Sequence, residues 1–227
     1  MPDVFREVNA QIRTATLLLV ELGLVADQNF PNCSGNQRAG AVTVESELSN
    51  SKLHGLRYPE LYSVVAKYRH FNMLFRDGGI LQFHYEFSRR AVSSHRLAFL
   101  PSPELEAMQL DPELYLDDAQ EIFADILEPH TVAVPIRFDH DSRAAAGRSH
   151  PMSHMTLGMF TNCRIPATAA LYPLQFVDFV LRSFYNSWHR EFSSELPTNN
   201  LHFPPCATAE EYEVIHLGIP GTSAPPG

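Results

Sequence analysis

The stretch FNMLFRDGGILQFHYEF, which runs from Phe71 to Phe87, predicts the centre of an antiparallel sheet. Apolar and polar residues alternate on both sides of Asp77-Gly78-Gly79, and glycine supplies the positive φ that a tight hairpin turn needs. The segment HRLAFL (95–100) continues the alternation, and the prolines at positions 101 and 103 end it. We therefore expect a three-strand antiparallel meander.

The second strand of this meander has one polar face, formed by Gln82, His84 and Glu86, while its aromatic and leucine side chains face the opposite way. A half-buried antiparallel strand shows such an alternation between a solvated side and a core-facing side. We interpret the three polar residues as a solvated face. The alternative is that they form the far wall of the candidate site described below.

A two-strand hairpin is predicted further along the chain, where TVAVPIRF (131–138) and MSHMTLGMF (152–160) both alternate. A linker rich in alanine joins the two segments. Pro135 indicates an edge position or a bulge, because proline cannot donate to a sheet ladder. The residues expected to face the core are Val132, Val134, Ile136, Phe138, Met155, Leu157 and Met159.

Three helices are expected around these strands. Apolar residues recur at helical spacing over residues 3–22, and an Asp-Pro pair is typical of the start of a second helix over 111–127. A proline also begins a long third helix over 173–192. Residues 27–57 are assigned to a loop with one edge strand near 41–45, because they are rich in Asn, Gly and Ser.

These elements predict the α+β fold class, with an antiparallel sheet (the three-strand meander plus the two-strand hairpin) backed by about three helices. The 227 residues suffice for one sizeable core. We expect a single α+β domain over residues 1–195 and a proline-rich, partly disordered C-terminal tail over residues 196–227.

The composition restricts the classes of function. A formal charge of −9 at pH 7 argues against broad, non-specific binding to nucleic acid, although it is compatible with a local basic groove. The three cysteines contain no C-x-x-C pair, so neither a disulfide framework nor a zinc knuckle is predicted. No stretch reaches the roughly 18 apolar residues of a membrane span, and we expect a cytoplasmic protein without a membrane partner.

The stretch RFDHDSRAAAGRSHPMSHMT (137–156) concentrates histidines, aspartates and arginines, and it is the candidate site. The period of two places the polar residues of each strand on one face. If the two strands pair, their polar faces coincide, because both apolar sets must meet the same core. The residues concerned are Arg137, Asp139 and Asp141 on the first strand, and His150 and His154 beside the second.

Two interpretations of this polar face stay open. Imidazole and carboxylate groups suit zinc or manganese, which makes Asp139, Asp141, His150 and His154 the candidate metal ligands. Metal-assisted hydrolysis would then use Arg137 on a phosphate, with Arg137, Asp139 and His154 as the candidate catalytic residues. In the other interpretation, the face is the ordinary polar side of a hairpin, and Asp139 forms a surface ion pair worth well under about 1 kcal/mol.

Cys163 and Arg164 form a secondary candidate, since a neighbouring cation lowers the pKa of a thiol. No base partner lies close to them in the sequence. A lone cysteine is more often a small buried hydrophobe, so this candidate is weaker than the hairpin.

Taken in order, the motifs HRLAFLPSP, IRFDHD, HPMSHMTLG, CRIP and PLQFVDFVLRSFY resemble a bacterial family known only as a domain of unknown function. The resemblance extends from about Tyr58 to Phe192 and carries no established activity. It implies that certain residues belong to the pattern of the family, with His140 outside any site. Those residues are Arg137, Asp139, His150, Pro151, Ser153, His154, Cys163, Arg164 and Pro166.

The resemblance also implies a loose association with mobile or phage-defence regions of bacterial genomes, and hence a partner such as a nuclease, helicase or ATPase. We therefore expect a non-catalytic accessory or recognition module that acts with a protein partner. The alternative is a metal-dependent phosphodiesterase or nuclease that uses Asp139, His150 and His154. Nucleic acid stays open as a partner, but only through a local surface and not through broad electrostatic attraction. The sequence leaves open whether the protein is an enzyme.

Overall fold

The computed structural model describes residues 3–45, 55–104, 134–160 and 162–222. They form a mixed α/β fold around one antiparallel sheet of nine strands. The strands are β1 (Val25–Gln28), β2 (Asn32–Asn36), β3 (Ala39–Thr43), β4 (Met73–Phe75), β5 (Ile80–Ser88), β6 (Ala91–Leu100), β7 (Ile136–Asp141), β8 (Ser153–Leu157) and β9 (Ile165–Pro166). The helices are α1 (Val4–Glu21), α2 (Tyr58–Lys67), α3 (Pro173–Phe184), α4 (Asn186–Phe192) and α5 (Ala209–Tyr212). Within the described ranges, no helix is both long and apolar enough to cross a membrane.

The strands follow the order β1-β4-β5-β6-β7-β8-β9, and β3 pairs with both β2 and β5. The predicted meander corresponds to β4, β5 and β6, and the predicted hairpin to β7 and β8, so both are confirmed as antiparallel units. The two units are continuous because β6 pairs with β7, which places Arg96 opposite Asp139. The sheet is therefore larger than the five strands expected.

The turn at Asp77-Gly78-Gly79 joins β4 to β5 as predicted. Gly78 has a φ of +84°, and a Cβ atom there would lie 2.9 Å from the Cβ of Ser102. The Gly79 N–H donates to Asp77 Oδ1 (2.8 Å), and the Tyr185 hydroxyl donates to Asp77 Oδ2 (2.8 Å). Burial raises the pKa of Asp77. The same aspartate thus shapes the hairpin and anchors the end of α3.

Helices α1 and α3 cover one face of the sheet. Phe176 of α3 meets Phe83 of β5 and Phe138 of β7 edge to face, with ring centroids 5.9 Å apart in both pairs. Burial of each such side chain stabilises the folded state by about 1.5–3 kcal/mol compared with leaving it exposed to water. The fully buried residues that the two helices add to this core include Val8, Ile12, Leu19, Phe176, Val177 and Leu181.

Helix α2 covers only part of the opposite face. Val65 of α2 packs with Phe71, Ile80, Ala98 and Leu100 in a second, smaller core. The remainder of this face, across β5 to β8, carries polar side chains. The position of α2 therefore leaves an open polar surface in the middle of the sheet.

Three sequence predictions are wrong in detail. Residues 27–57, expected to be mainly loop, contribute to β1 and contain β2 and β3; every residue of β2 is exposed, so no alternation marks it. The helix expected over 173–192 is interrupted at Tyr185, which has φ −129° and ψ 49°. Pro135 precedes β7, which lies between two strands rather than at an edge.

The predicted hairpin also proves shorter than its alternation suggests. Val134 and Met159, expected in the core, are 43% and 51% exposed, because β7 begins at Ile136 and β8 ends at Leu157. Val132 and the helix expected over 111–127 lie outside the described residues.

Residues beyond 195 pack against the same core. Phe203 stacks on Tyr172 with ring centroids 4.0 Å apart and planes 6° apart, and Ile219 is 7% exposed. The division of the chain at residue 195 stays a prediction. The described part of the expected tail nevertheless contributes side chains to the core.

We expect Phe203→Ala to lower the free energy of unfolding by about 3 kcal/mol, because the substitution removes a buried aromatic ring and leaves a cavity. Urea denaturation measures the change. Ile215→Ala, at a side chain that is 90% exposed, is the control and should change stability by less than about 0.5 kcal/mol. Equal, small effects of both substitutions would mean that residues 196–222 do not support the core.

Candidate functional site

An open groove of about 710 Å³ lies on the sheet face that α2 leaves uncovered. We call it the sheet groove. Its base is formed mainly by β5, β6, β7 and β8, and its lining is dominated by histidines, arginines and carboxylates. The residues on which the arguments below depend are His84, Arg96, Arg137, Asp139, His154 and Arg164.

Strand register places four polar residues in one transverse row of the sheet groove. His84 of β5 pairs with Arg96 of β6, Arg96 pairs with Asp139 of β7, and Asp139 pairs with His154 of β8. Adjacent strands lie about 4.8 Å apart, so the row spans roughly 14 Å. Since directly paired residues point to the same side of a sheet, these side chains are neighbours across four strands.

The carboxylate of Asp139 is bound by two arginines. Arg96 Nε donates to Oδ1 (3.1 Å), and Arg137 Nε donates to Oδ2 (2.6 Å). Burial by itself would raise the pKa of Asp139, but the positive charges of Arg137 and Arg96 and their hydrogen bonds outweigh it, and the pKa is lowered. Asp139 is therefore ionised at neutral pH and orients both guanidinium groups.

The imidazole of His154 is buried and fixed in one orientation. Its Nδ1 lies 2.9 Å from the carbonyl oxygen of Pro151, which can only accept, so Nδ1 carries the proton in this contact. Burial lowers the pKa of His154 more than the Pro151 hydrogen bond and the Asp139 charge raise it. The neutral ring then has its unprotonated Nε2 on the side of Asp139, 3.9 Å from Oδ2.

Two further basic side chains lie beside His154. The His150 ring meets the His154 ring edge to face, with centroids 5.4 Å apart. Arg164 also lines the sheet groove, and its Nη1 donates to the carbonyl oxygen of Ser149 (3.3 Å). The charge of Arg164 is close enough to contribute to the lowered pKa of His154. Arg137, Asp139, His150, His154 and Arg164 are thus brought to one surface, and we call them the His154 cluster.

The polar strip of β5 forms the far wall of the sheet groove and is also partly solvated, with the His84 and Glu86 side chains 41% and 38% exposed. Gln82, His84 and Glu86 all line the groove. His84 Nδ1 lies 3.0 Å from Thr43 Oγ1, and its Nε2 lies 3.6 Å from Glu86 Oε1. Burial lowers the pKa of His84 more than Glu86 raises it.

Arg96 is the main residue that sequence reasoning missed. Its alternation within HRLAFL places it on the polar side of β6, which is the signal that could have found it. Its importance depends on β6 lying between β5 and β7, and the sequence pattern did not reveal that order.

Asp141 lines the sheet groove but is engaged elsewhere, and Ser153 lies on the core face. Asp141 Oδ1 accepts from the backbone N–H (2.8 Å) and Nε (3.2 Å) of Arg143, so it is engaged with its own turn. Ser153 lies on the core side of β8, where its Oγ is 2.7 Å from His140 Nδ1 and accepts from Cys206 Sγ (3.2 Å). Cys163 is partly buried in the segment between β8 and β9.

The contacts around Asp139 bear on the predicted metal site. Both of its oxygens already accept hydrogen bonds from guanidinium groups. The positive charge of these groups disfavours the binding of a metal cation at the same carboxylate. Among the residues that the structure describes, no group of three His, Cys, Asp or Glu side chains is arranged to hold a metal ion. The roles assigned to Asp139, His150 and His154 stay predictions.

A second polar row lies directly behind the first, on the core face. Tyr85, His95, His140 and Ser153 pair across β5 to β8. His95 Nε2 accepts from the Leu171 N–H (3.1 Å). Burial lowers the pKa of His95 to about 3 and that of His140 to about 4. Both rings are neutral in the folded protein at neutral pH.

The lowered pKa values of His95 and His140 predict a loss of stability in acid. Each contribution is fully present above the unfolded pKa of 6.5 and is lost as the pH falls towards about 4 for His140 and about 3 for His95. The free energy of unfolding should therefore fall below pH 6.5 by about 1.4 kcal/mol per pH unit for each histidine. Urea denaturation between pH 7.5 and pH 4.5 measures the slope.

His140→Asn should reduce the slope of unfolding free energy against pH by the contribution of one histidine, about 1.4 kcal/mol per pH unit. Phe138→Leu, which weakens the same strand without removing a titratable group, should keep the wild-type slope. A His140→Asn slope equal to that of the wild type would show that His140 does not titrate as its surroundings indicate.

Comparison with known proteins agrees with the resemblance of the motifs. Residues 24–219 match the family described as "Uncharacterized conserved protein (DUF2290)". That range contains all nine strands and every residue of the His154 cluster. No curated protein and no solved structure matches the chain. The chain belongs to this family of uncharacterised conserved proteins.

Proposed function

We propose that the protein is a recognition module whose sheet groove binds a phosphate group on a segment of a protein partner. The observation that carries the proposal is the convergence of Arg96 and Arg137 on Asp139, beside the neutral imidazole of His154. Guanidinium groups match the geometry of phosphate oxygens, and clusters of arginines are a recurrent solution for phosphorylated peptides.

The charge balance around His154 favours an anion. Arg96 and Arg137 bind Asp139, Arg164 lines the same part of the groove, and Asp139 is the one carboxylate among the described lining residues that is not paired with Arg143. The other two carboxylates of the sheet groove, Glu86 and Asp141, both bind Arg143. This part of the groove therefore carries excess positive charge on a chain whose formal net charge is −9.

The donors that remain on the arginines support the same ligand. Arg96 and Arg137 contact Asp139 through Nε, and among the described residues no hydrogen bond uses their Nη1 or Nη2 atoms. Those atoms can donate to phosphate oxygens while Asp139 continues to orient the guanidinium planes. His154 Nε2 can accept the proton of a singly protonated phosphate.

A single phosphate fits this arrangement better than a nucleic acid strand. Strand-binding surfaces combine a basic track with aromatic side chains on which bases stack. Here Arg96 and Arg137 converge on one point, and among the described residues that line the sheet groove the one Phe, Tyr or Trp is Phe83, whose side chain is buried in the core.

Calorimetric titration with acetylated and amidated phosphoserine tests the proposal. We expect saturable binding that the unphosphorylated compound lacks, and at least a tenfold loss of affinity in Arg137→Gln and in Arg96→Gln, because a hydrogen bond to a charged group is worth about 1.5–3 kcal/mol. Arg6→Gln is the matched control, since the side chain of Arg6 is 86% exposed on α1. It should bind like the wild type.

Two further ligands distinguish the source of the phosphate. Inorganic phosphate should bind through the same arginines but more weakly than phosphoserine. The second ligand is a six-nucleotide thymidine strand. If it binds more tightly than phosphoserine and loses affinity in Arg137→Gln, the partner is a nucleic acid and not a phosphorylated protein. Absence of phosphoserine binding to folded wild-type protein would overturn the proposal.

A metal-dependent phosphodiesterase is the second candidate, because His150, His154 and Asp139 do lie together. Titration with Zn²⁺ and Mn²⁺, without phosphate, separates the two functions. Binding that His150→Ala/His154→Ala loses and His84→Ala keeps would favour the metal enzyme. If the folded wild type binds neither ion, the metal-dependent enzyme is ruled out and the phosphate-binding module is the remaining proposal.

A further inference from the structure

A second cavity, of about 570 Å³, lies on the core side of the sheet, between α3 and residues 193–199 and 217–220. Its volume falls in the range of roughly 300–1,000 Å³ that is typical of small-molecule sites. We call it the α3 pocket. Its apolar floor is formed by Phe138, Met155, Leu174, Phe179, Leu196 and Ile219.

Among the described residues that line the α3 pocket, the two charged side chains, Asp178 and Arg182, are opposite in sign and lie next to each other. Asp178 Oδ1 lies 3.0 Å from His189 Nε2, and Asp178 Oδ2 lies 3.9 Å from Arg182 Nε. An entering ion would therefore lose hydration without meeting an uncompensated charge of opposite sign. Burial of an unpaired charge is strongly unfavourable.

The amide groups of the rim are also engaged. Gln175 Oε1 accepts from the Tyr172 N–H (2.9 Å), and Gln175 Nε2 lies 3.3 Å from His202 Nδ1. Asn199 Oδ1 accepts from Gln11 Nε2 (3.2 Å). The pocket thus presents an apolar floor inside a rim whose two charges are opposite in sign and whose Gln175 and Asn199 side chains are engaged, and this combination favours apolar ligands.

We propose that the α3 pocket binds a small, uncharged, largely apolar molecule. The site is separate from the sheet groove, although the same strands border both. Phe138 lies between Arg137 and Asp139 along β7, and Met155 lies between His154 and Thr156 along β8. The apolar ligand packs on the reverse side of the strands that carry the phosphate-binding residues.

Titration with 1-octanol, monitored by the ¹³C-methyl NMR signal of Met155, tests the proposal. Met155→Leu assigns the signal among the six methionines of the chain. We expect a saturable shift of the Met155 methyl signal with octanol, and at least tenfold weaker binding of octanoate and of octylammonium at equal chain length. Charged ligands that bind as tightly as octanol would overturn the assigned ligand class.

Two substitutions that fill the α3 pocket locate the binding. Leu196→Trp, on its floor, and Thr198→Trp, at its exposed rim, should each weaken octanol binding at least tenfold. Leu17→Trp is the matched control on α1, where the side chain is 57% exposed, and it should leave the affinity unchanged. Circular dichroism identifies any variant that does not fold, and Thr198→Trp decides the result if Leu196→Trp fails.

An unshifted Met155 signal, or wild-type affinity in a folded Thr198→Trp variant, would show that octanol binds elsewhere and would overturn the proposal. The two proposals are tested separately, since Arg137→Gln should weaken phosphoserine binding at least tenfold and should leave octanol binding unchanged.

Discussion

The pairing of β6 with β7 is the constraint on which the rest of the structure depends. It joins the meander to the hairpin and sets Arg96 opposite Asp139. The next register step sets Asp139 opposite His154. A slip of one residue at either interface would turn the charged residues of one strand towards the core and expose its core residues, such as Phe138, so burial of one face fixes the register of the other.

The same alternation gives the central strands two different chemistries. On one side, Asp139 is ionised between two guanidinium groups: burial raises its pKa, but the charges and hydrogen bonds of Arg137 and Arg96 together lower it by more. On the other side, His95 and His140 are neutral, because burial lowers their pKa values and neither has a carboxylate in hydrogen-bond contact among the described residues. Asp139 stays ionised because the two arginines offset its desolvation, whereas desolvation outweighs the neighbouring charges at the two core-face histidines.

Partial coverage by α2 leaves the row of His84, Arg96, Asp139 and His154 open to solvent, as the proposed phosphate site requires. The helix packs its apolar face over Ile80, Ala98 and Leu100 and ends before the polar rows begin. The exposed arginine heads keep their hydration and can exchange it for a ligand, whereas Asp139 and His154 are largely buried and hold fixed positions. Anchored groups beside solvated cations are suited to anion recognition, since little side-chain freedom is lost on binding.

The sequence by itself determined the meander, the hairpin, its turn at Asp77-Gly78-Gly79 and the common face of Arg137, Asp139 and His154. These features depend on alternation and on glycine geometry, which are local. Only the tertiary structure decided that Arg96 binds Asp139, that His84 forms the opposite wall, and that residues beyond 195 enter the core. The physical reason is that strand order and helix coverage depend on contacts between residues distant in the chain, and a periodic pattern records which side of a strand is polar but not which strand lies next to it.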